Sequence, residues 1–463
     1  MDNQAKYNRI SRIEVNNLFG KIDYALDFDD GNDVSIMIAP NGYGKTTILK
    51  LINATLNPTF QSINAVRNIT FNSFKCYLSN GATVCLSRQS KFAAETAYHA
   101  ISSNSSSVGS KRGYVSQKIE DLSANGLGLK LEIFNSATKE KPYVCPISAY
   151  IAQNTPSSFF SRRYESDDDI DILWRTERNQ EMIRDSLTQL SHILEDSLQE
   201  YDCVVPVNFI TANRLRAIKE PLPRTRGFRD VDPLDDASEY LHSIVSVHLE
   251  EYGKKKAEAS NSLPKLYVDK GKLQAAGYDT FKNRWSDYCE WLKTFHNLGF
   301  LDSEESDIGD TSLEDYDAFG AFFDVYLESF EKTLEPLLEI YMKFSLFKNI
   351  FEERIGSNSI SPKTISFTRE GVVVLMDDGH PVKITELSSG EKNDFIMFFN
   401  LIFKSVPGEL VLIDEPEISL HIEWQETYID KLLKICKENQ LQAIITTHSP
   451  HIINGHYDLL KDL

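Results

Sequence analysis

The feature that most constrains the fold is a glycine-rich loop between a predicted strand and a predicted helix near the start of the chain. Residues 34–38 are a short apolar run, and Ala-Pro-Asn-Gly-Tyr-Gly-Lys-Thr-Thr follows at residues 39–47 before a helical pattern. In such a loop, glycines let backbone N–H groups wrap phosphate oxygens, a lysine contacts the outer phosphates and a hydroxyl binds Mg²⁺. The predicted nucleotide-binding residues are Asn41, Gly42, Tyr43, Gly44, Lys45, Thr46 and Thr47.

Polar side chains follow two further strand-like runs near the other end of the chain. The apolar run at residues 410–413 is followed by Asp414 and Glu415, and the β-rich run at residues 443–447 is followed by His448. Doubly wound sheets place their chemistry at the carboxyl ends of buried parallel strands. We therefore expect both carboxylates and the imidazole at one rim of one sheet.

A second anion site is predicted where a helical pattern begins after Leu-Ser-Ser-Gly-Glu. This motif supplies Ser388, Ser389 and Gly390 just before the helical residues 393–404. A helix N-terminus presents unpaired N–H groups and the positive end of its dipole, which suits a phosphate.

The residue types indicate phosphoryl transfer, which depends on positioning and charge neutralisation. Lys45 is expected to hold phosphates, Thr46 and Asp414 to hold Mg²⁺, Glu415 to polarise the attacking water and His448 to contact the γ-phosphate. The alternative interpretation, a capping carboxylate and a structural histidine, fits the position of Glu415 and His448 at strand ends less well.

In this order, the motifs resemble the ABC-type ATPase heads of the SMC, RecF and OLD-like families. Within these, the sequence looks most like the compact ATPases of bacterial antiphage systems of the Septu and retron-associated kind (PtuA-like). The resemblance covers roughly residues 10–55 and 360–455, and Asp-Glu-Pro-Glu-Ile-Ser-Leu-His followed by Thr-His-Ser-Pro is typical of the OLD-like branch. Two positions depart from the pattern, since Ala39 and Ser389 stand where a glycine is usual.

This resemblance implies an α/β fold, an ABC-type P-loop ATPase head of mixed and parallel sheets with an inserted, mainly helical arm. It also implies ATP and Mg²⁺ as ligands, and a composite site in which the P-loop of one protomer faces the Ser388-Ser389-Gly390 motif of another. The expected assembly is a homodimer through the heads, or a higher oligomer.

The implied role is that of an ATP-hydrolysing regulatory subunit of an antiphage defence system, which controls a separate partner nuclease of the HNH type. Nucleic acid, such as retron RNA or DNA, is a further expected partner. Two alternatives stay open: a RecF/SMC-like DNA-repair ATPase acting directly on DNA, and an ATP-sensing scaffold with little turnover. No nuclease domain is expected in the chain itself, because little sequence follows Thr-His-Ser-Pro and no His-Asn-His cluster is found.

Composition sets limits on these interpretations. The 463 residues carry a formal net charge of −19, so any basic patch for nucleic acid has to be local. The six cysteines are scattered without a Cys-x-x-Cys pair, which predicts reduced thiols and a cytoplasmic protein. No uninterrupted apolar stretch reaches the roughly 18 residues of a membrane span, so no membrane partner is expected.

Changes in composition and in hydrophobic pattern along the chain predict five segments. They are residues 1–160 (first part of the head), 161–203 (helical insertion), 204–216 (a head strand), 217–358 (helical arm) and 359–463 (second part of the head).

Three weaker predictions concern the middle of the chain. Gln153, on a loop after a strand at residues 143–151, is the nearest candidate for the Mg²⁺-sensing glutamine of such heads, although a plain surface residue is the stronger interpretation. Arg214 resembles an arginine that approaches the phosphates in OLD-like relatives. The basic stretch from Arg214 to Arg229 is predicted to be an exposed loop, with solvated charge and a phosphate-backbone contact both left open.

Overall fold

The computed structural model describes residues 7–28, 31–89, 128–154, 177–211, 218–221, 228–270, 277–303, 312–355, 362–369, 371–420 and 422–463. The chain forms two compact units, of which the first is Met1–Ala212 with Ser405–Leu463 and the second is Asn213–Lys404. The second unit is thus inserted into the first. The finer five-segment division stays a prediction. None of the helices in the described ranges is long and apolar enough to cross a membrane.

The strands are, in chain order, β1 (Ile10–Leu18), β2 (Ile22–Asp27), β3 (Val34–Ile38), β4 (Ser73–Leu78), β5 (Thr83–Arg88), β6 (Leu129–Phe134), β7 (Tyr143–Pro146), β8 (Val207–Ile210), β9 (Ile218–Pro221), β10 (Phe228–Val231), β11 (Lys363–Thr368), β12 (Gly371–Met376), β13 (Pro381–Val382), β14 (Leu410–Asp414), β15 (Gln442–Thr446) and β16 (Leu460–Asp462). The helices are α1 (Lys45–Leu56), α2 (Phe60–Val66), α3 (Ile147–Asn154), α4 (Glu177–Glu200), α5 (Pro233–Lys270), α6 (Tyr278–Asn297), α7 (Leu313–Glu331), α8 (Glu335–Ile355), α9 (Ser389–Phe399), α10 (Ile422–Glu426), α11 (Tyr428–Asn439) and α12 (Pro450–Ile453).

A five-stranded parallel sheet in the first unit carries the predicted site. Its order is β16-β3-β15-β14-β8, so the strand before the glycine-rich loop lies between two strands from the end of the chain. The core strands β3, β14 and β15 are almost wholly buried, as expected of a parallel sheet covered on both faces. Their common direction brings the residues that follow β3, β14 and β15 to the same edge.

An antiparallel sheet of order β2-β1-β4-β5-β6-β7 forms the rest of the first unit's framework. Its strands alternate buried and partly exposed residues, and the buried faces of β4 and β5 share a core with α1. A hairpin turn containing Asn80 and Gly81 joins β4 to β5, with Gly81 at a φ of +84°.

The second unit is mainly helical and has an aromatic core. Helices α6, α7 and α8 confirm the helical spacing predicted for this region, and a three-stranded sheet of order β11-β12-β13 accompanies them. The side chains of Trp285 and Tyr288 are buried, and the Trp285 ring lies 5.7 Å from that of Phe281. These aromatic rings therefore pack in the core of the second unit.

Two predictions of local structure are wrong. The strand expected at residues 143–151 ends at Pro146, which has no N–H to continue the ladder, and α3 follows with Ile147 and Ile151 buried one helical turn apart. The basic stretch is not simply a loop, because β9 and β10 pair as antiparallel strands within it. Neither strand has the two-residue alternation of apolar and polar residues that marks a half-buried strand (Ile-Lys-Glu-Pro and Phe-Arg-Asp-Val), so the sequence pattern did not indicate them.

Candidate nucleotide-binding site

The loop after β3 has the backbone of a phosphate cradle. Gly42 and Gly44 adopt φ angles of +88° and +95°, which favour glycine, and α1 begins at Lys45. No side-chain hydrogen bond caps α1 at Gly44, so the first N–H groups of this helix are available to an anion. Tyr43 at the tip is 45% exposed, and its carbonyl accepts a hydrogen bond of 3.1 Å from the Tyr24 hydroxyl.

The Lys45 ammonium lies inside this loop. Its Nζ donates to the carbonyl oxygen of Ala39 at 2.7 Å and lies 3.3 Å from Nδ1 of His448, and the residue is 5% exposed. Burial lowers the pKa of Lys45, while the nearby charges of Glu415, Asp414 and Glu417 oppose that shift. The lysine is thus held beside the acidic groups at the strand ends.

The Asp414 carboxylate connects the loop helix to two strand ends. Its Oδ1 accepts hydrogen bonds from the Thr46 hydroxyl at 2.9 Å and from the Thr446 hydroxyl at 2.7 Å. The parallel register places Asp414 directly beside Thr446. Carboxylate and hydroxyl oxygens are hard ligands suited to Mg²⁺, so the donor set of Thr46 and Asp414 fits this ion.

Glu415 and His448 face each other at the same edge. Nε2 of His448 lies 3.7 Å from Oε1 of Glu415, and both side chains are about one-third exposed. Glu415 adopts the left-handed conformation (φ +47°), and its N–H donates to the carbonyl of Thr446 at 3.0 Å. A non-glycine residue in this region is strained, a condition that occurs often at functional sites.

Two residues at this edge were not singled out from the sequence. The Thr446 hydroxyl shares Oδ1 of Asp414 with Thr46, and Oε1 of Glu417 accepts the backbone N–H of His448 at 2.7 Å. The second glutamate of Asp-Glu-Pro-Glu was the only available signal for Glu417. The Thr446 contact depends on strand register, which the sequence does not specify.

The Ser388-Ser389-Gly390 motif lies in the second unit, at the start of α9. Ser388 is the N-cap residue: its hydroxyl accepts the N–H of Glu391, and its own N–H donates to the Glu391 carboxylate at 2.7 Å. The helix predicted at residues 393–404 therefore starts earlier, and it becomes a π-helix over Asn400–Lys404. The role of this motif in a composite site shared by two protomers stays a prediction.

The remaining sequence candidates are less well placed or lie outside the described residues. Gln153 is on helix α3 and not on a loop, which corrects its expected setting. Arg214 falls outside the described residues. Thr47 lies in the first turn of α1.

A cavity lies beside the glycine-rich loop. Its volume is about 430 Å³, and its lining includes Ala39, Pro40 and His448.

A protein-family model matches part of the chain. Residues 241–453, a little under half of the chain, match the AAA ATPase domain family AAA_15. This region contains the Ser-Gly motif, Asp414, Glu415 and His448, whereas the glycine-rich loop precedes it. With the P-loop sheet described above, the match confirms the predicted α/β fold of an ABC-type P-loop ATPase head with an inserted, mainly helical arm.

One solved structure covers most of the chain at low similarity. It is the Smc head domain with an extended coiled coil, bound to the C-terminal domain of ScpA, from Pyrococcus furiosus. The alignment has 14% identity and a TM-score of 0.35, and it covers 96% of this chain and 91% of that one. No curated protein matches the sequence significantly.

Proposed function

We propose that this protein binds ATP with Mg²⁺ and hydrolyses the γ-phosphate bond. The observation that carries the proposal is the convergence of Lys45, Thr46, Asp414, Glu415 and His448, which come from three strand ends, at one edge of the parallel sheet. The match to an ATPase domain family supports it.

Each side chain has a distinct task in this proposal. Bound Mg²⁺, held by Thr46 and Asp414, would neutralise charge on the phosphates. Lys45 moves from the Ala39 carbonyl to the phosphate oxygens, and the open N–H groups of α1 bind the same anion. Glu415 accepts the proton of the attacking water, and His448 contacts the γ-phosphate from the neighbouring strand end.

Replacing Glu415 with Gln tests this assignment. The amide keeps the shape of the side chain but cannot accept a proton, so the Glu415→Gln variant should bind ATP and lose hydrolysis by at least ~100-fold. Such a loss corresponds to about 2.7 kcal/mol of transition-state stabilisation. Phosphate release and equilibrium ATP binding measure the two effects, with Lys45→Ala as the variant expected to lose binding. Turnover near the wild-type rate in Glu415→Gln would remove Glu415 from this role.

We further propose that hydrolysis serves regulation in an antiphage defence system, in which dimerised heads control a separate HNH-type nuclease. The support is the motif order, which resembles the PtuA-like ATPases, together with the ATPase domain match. ATP favours the closed head dimer and so biases any partner surface coupled to it. We favour restraint of the nuclease by ATP, because a defence nuclease must be silent in a healthy, ATP-rich cell.

Nuclease assays separate the regulator from the cutting enzyme. The purified chain with ATP and Mg²⁺ or Mn²⁺ should leave phage DNA, plasmid and tRNA uncut, and the co-purified partner should cut in a nucleotide-dependent way. Robust cleavage by the isolated chain, lost on changing acidic or histidine residues outside the ATP site, would contradict this role. Tight duplex binding by the isolated chain would favour a DNA-repair ATPase instead.

A further inference from the structure

The carboxylate of Glu417 contacts the backbone of the histidine and not its ring. Its Oε1 accepts the N–H of His448 at 2.7 Å, and its Oε2 is shielded from solvent. A carboxylate that accepts a peptide N–H makes a charge-assisted bond, which is stronger than a bond between neutral groups. The segment after β14 is thereby tied to the segment after β15.

The backbone around Glu417 directs its side chain to this contact. Glu417 lies in the short 3-10 turn Pro416–Ser419, which Glu415 enters in the left-handed conformation. The N–H of Leu420 donates to the carbonyl of Glu417 at 3.0 Å and closes the turn. Pro416 restricts the backbone at the first position of the turn, so the direction of Glu417 follows from local geometry.

The held backbone fixes where the imidazole lies. From this position, Nδ1 of His448 is 3.3 Å from Nζ of Lys45 and Nε2 is 3.7 Å from Oε1 of Glu415. Glu417 also adds negative charge near Lys45, although it contributes less to the pKa of that lysine than Glu415 and Asp414 do. The contact with the strongest geometric basis is therefore the one to the His448 backbone.

We propose that Glu417 is a positioning residue for ATP hydrolysis, which holds the backbone of His448 so that its imidazole stays between Lys45 and Glu415. This inference rests on the proposed function. It concerns a residue that acts through His448 and makes no contact with the reacting atoms. Misplacement of a reacting or sensing group by about 1 Å lowers rates by up to ~100-fold, which sets the scale of the expected effect.

Three substitutions separate the hydrogen bond from charge and from bulk. Glu417→Gln keeps an oxygen that can accept the His448 N–H, Glu417→Met keeps the length without an acceptor, and Glu417→Ala removes both. A matched control is Glu426→Ala, because Glu426 is half exposed and faces another histidine, His451, at 3.4 Å. Each full-length variant is examined for its thermal midpoint, its ATP affinity and its steady-state kinetics.

We expect Glu417→Met and Glu417→Ala to lower kcat by at least ~10-fold while KM for ATP changes by less than about threefold. Glu417→Gln should keep at least about a third of the wild-type kcat, as should Glu426→Ala. An equal loss in Glu417→Gln and Glu417→Met would overturn the proposal, because charge would then be the essential property. Wild-type kcat in Glu417→Met would also overturn it.

Failure of the proposed function gives a different pattern. If the wild-type chain shows no Mg²⁺-dependent hydrolysis that Lys45→Ala abolishes, the ATPase assignment itself fails. If wild-type hydrolysis is clear and Glu415→Gln abolishes it, yet Glu417→Met remains fully active, only the positioning role of Glu417 fails.

Discussion

Gly44 leaves little room for a side chain at the point where the phosphate loop enters α1. A Cβ on Gly44 would lie 3.0 Å from Cε2 of Phe19 and 3.1 Å from Cδ2 of Leu18, and its φ is +95°. Gly42, in the same loop, has a similar φ of +88° but nothing within 4 Å of its Cβ position. Both glycines thus need a left-handed backbone conformation, but only Gly44 also has neighbouring side chains close to the position of an added Cβ.

This difference predicts unequal effects of two alanine substitutions. Both variants carry the left-handed backbone penalty of about 1–2 kcal/mol. Gly44→Ala adds a steric clash and should destabilise the protein by a further ~1–3 kcal/mol. Urea unfolding of the two variants measures the difference, and Phe19→Ala added to Gly44→Ala should recover part of it. Equal unfolding free energies for Gly42→Ala and Gly44→Ala would show that the Phe19 ring moves away freely.

At the scale of single residues, the sequence predicted the side chains that short local motifs specify. Lys45 and Thr46 are specified by their places in one short loop, and Asp414, Glu415 and His448 by their places just after apolar runs. Thr446 and Glu417 could not be predicted, because their contacts join segments far apart in sequence through the pairing of β14 with β15. Residues whose contacts depend on strand pairing can be identified only when the strand register is known.

Among the elements, the start of α9 shows how a helix end is stabilised. Nζ of Lys363 on β11 lies 2.7 Å from Oε1 of Glu391, while the other oxygen of Glu391 accepts the Ser388 N–H. The two charged side chains are only 16% and 11% exposed. Burial alone would raise the pKa of Glu391, but hydrogen bonds from Lys363 and Ser388 outweigh it and the pKa is lowered.

Removing Lys363 should therefore destabilise the second unit in a pH-dependent way. A lowered folded-state pKa gives stabilisation that is complete above the ordinary Glu value of about 4.3 and is lost as pH falls through the folded value. Lys363→Ala should lower the unfolding free energy at pH 7 by about 1–3 kcal/mol, and the difference from wild type should shrink in acid. The control is Lys332→Ala, which removes an exposed pair with Glu328 and should change little. A difference independent of pH would contradict the role of the Glu391 charge.

Sequence patterns predicted the elements that have a clear period and missed those whose pattern is mixed. The apolar runs of β3 and β14 and the helical spacing of α6 are unambiguous over their whole length. The residues of α3 follow β7 without a break in apolar character, so the change of period at Pro146 was overlooked. The π-helix at Asn400–Lys404 has no sequence signature that separates it from the preceding α-helix.

For the whole molecule, the proposed composite site can be tested with two inactive variants. A Lys45→Ala protomer paired with a Gly390→Asp protomer has one doubly damaged site and one intact site. Mixing the two inactive proteins should therefore restore part of the ATPase activity, provided that subunit exchange is verified with labelled chains. Full activity of Gly390→Asp alone would show that the Ser388-Ser389-Gly390 motif does not complete a partner's site.

The position of β3 in its sheet has a consequence for protein synthesis. Both of its neighbours, β15 and β16, come from the last part of the chain, and Val34 pairs with Ala443. The whole second unit therefore leaves the ribosome before the strand that carries the phosphate loop has a partner. Domains tend to fold as units during translation, so the second unit can fold first. During that time, neither edge of β3 is paired with its neighbouring strand of the final sheet. A nascent chain that stops before residue 405 lacks β14, β15 and β16, so the proposed nucleotide site can assemble only after these strands have been synthesised.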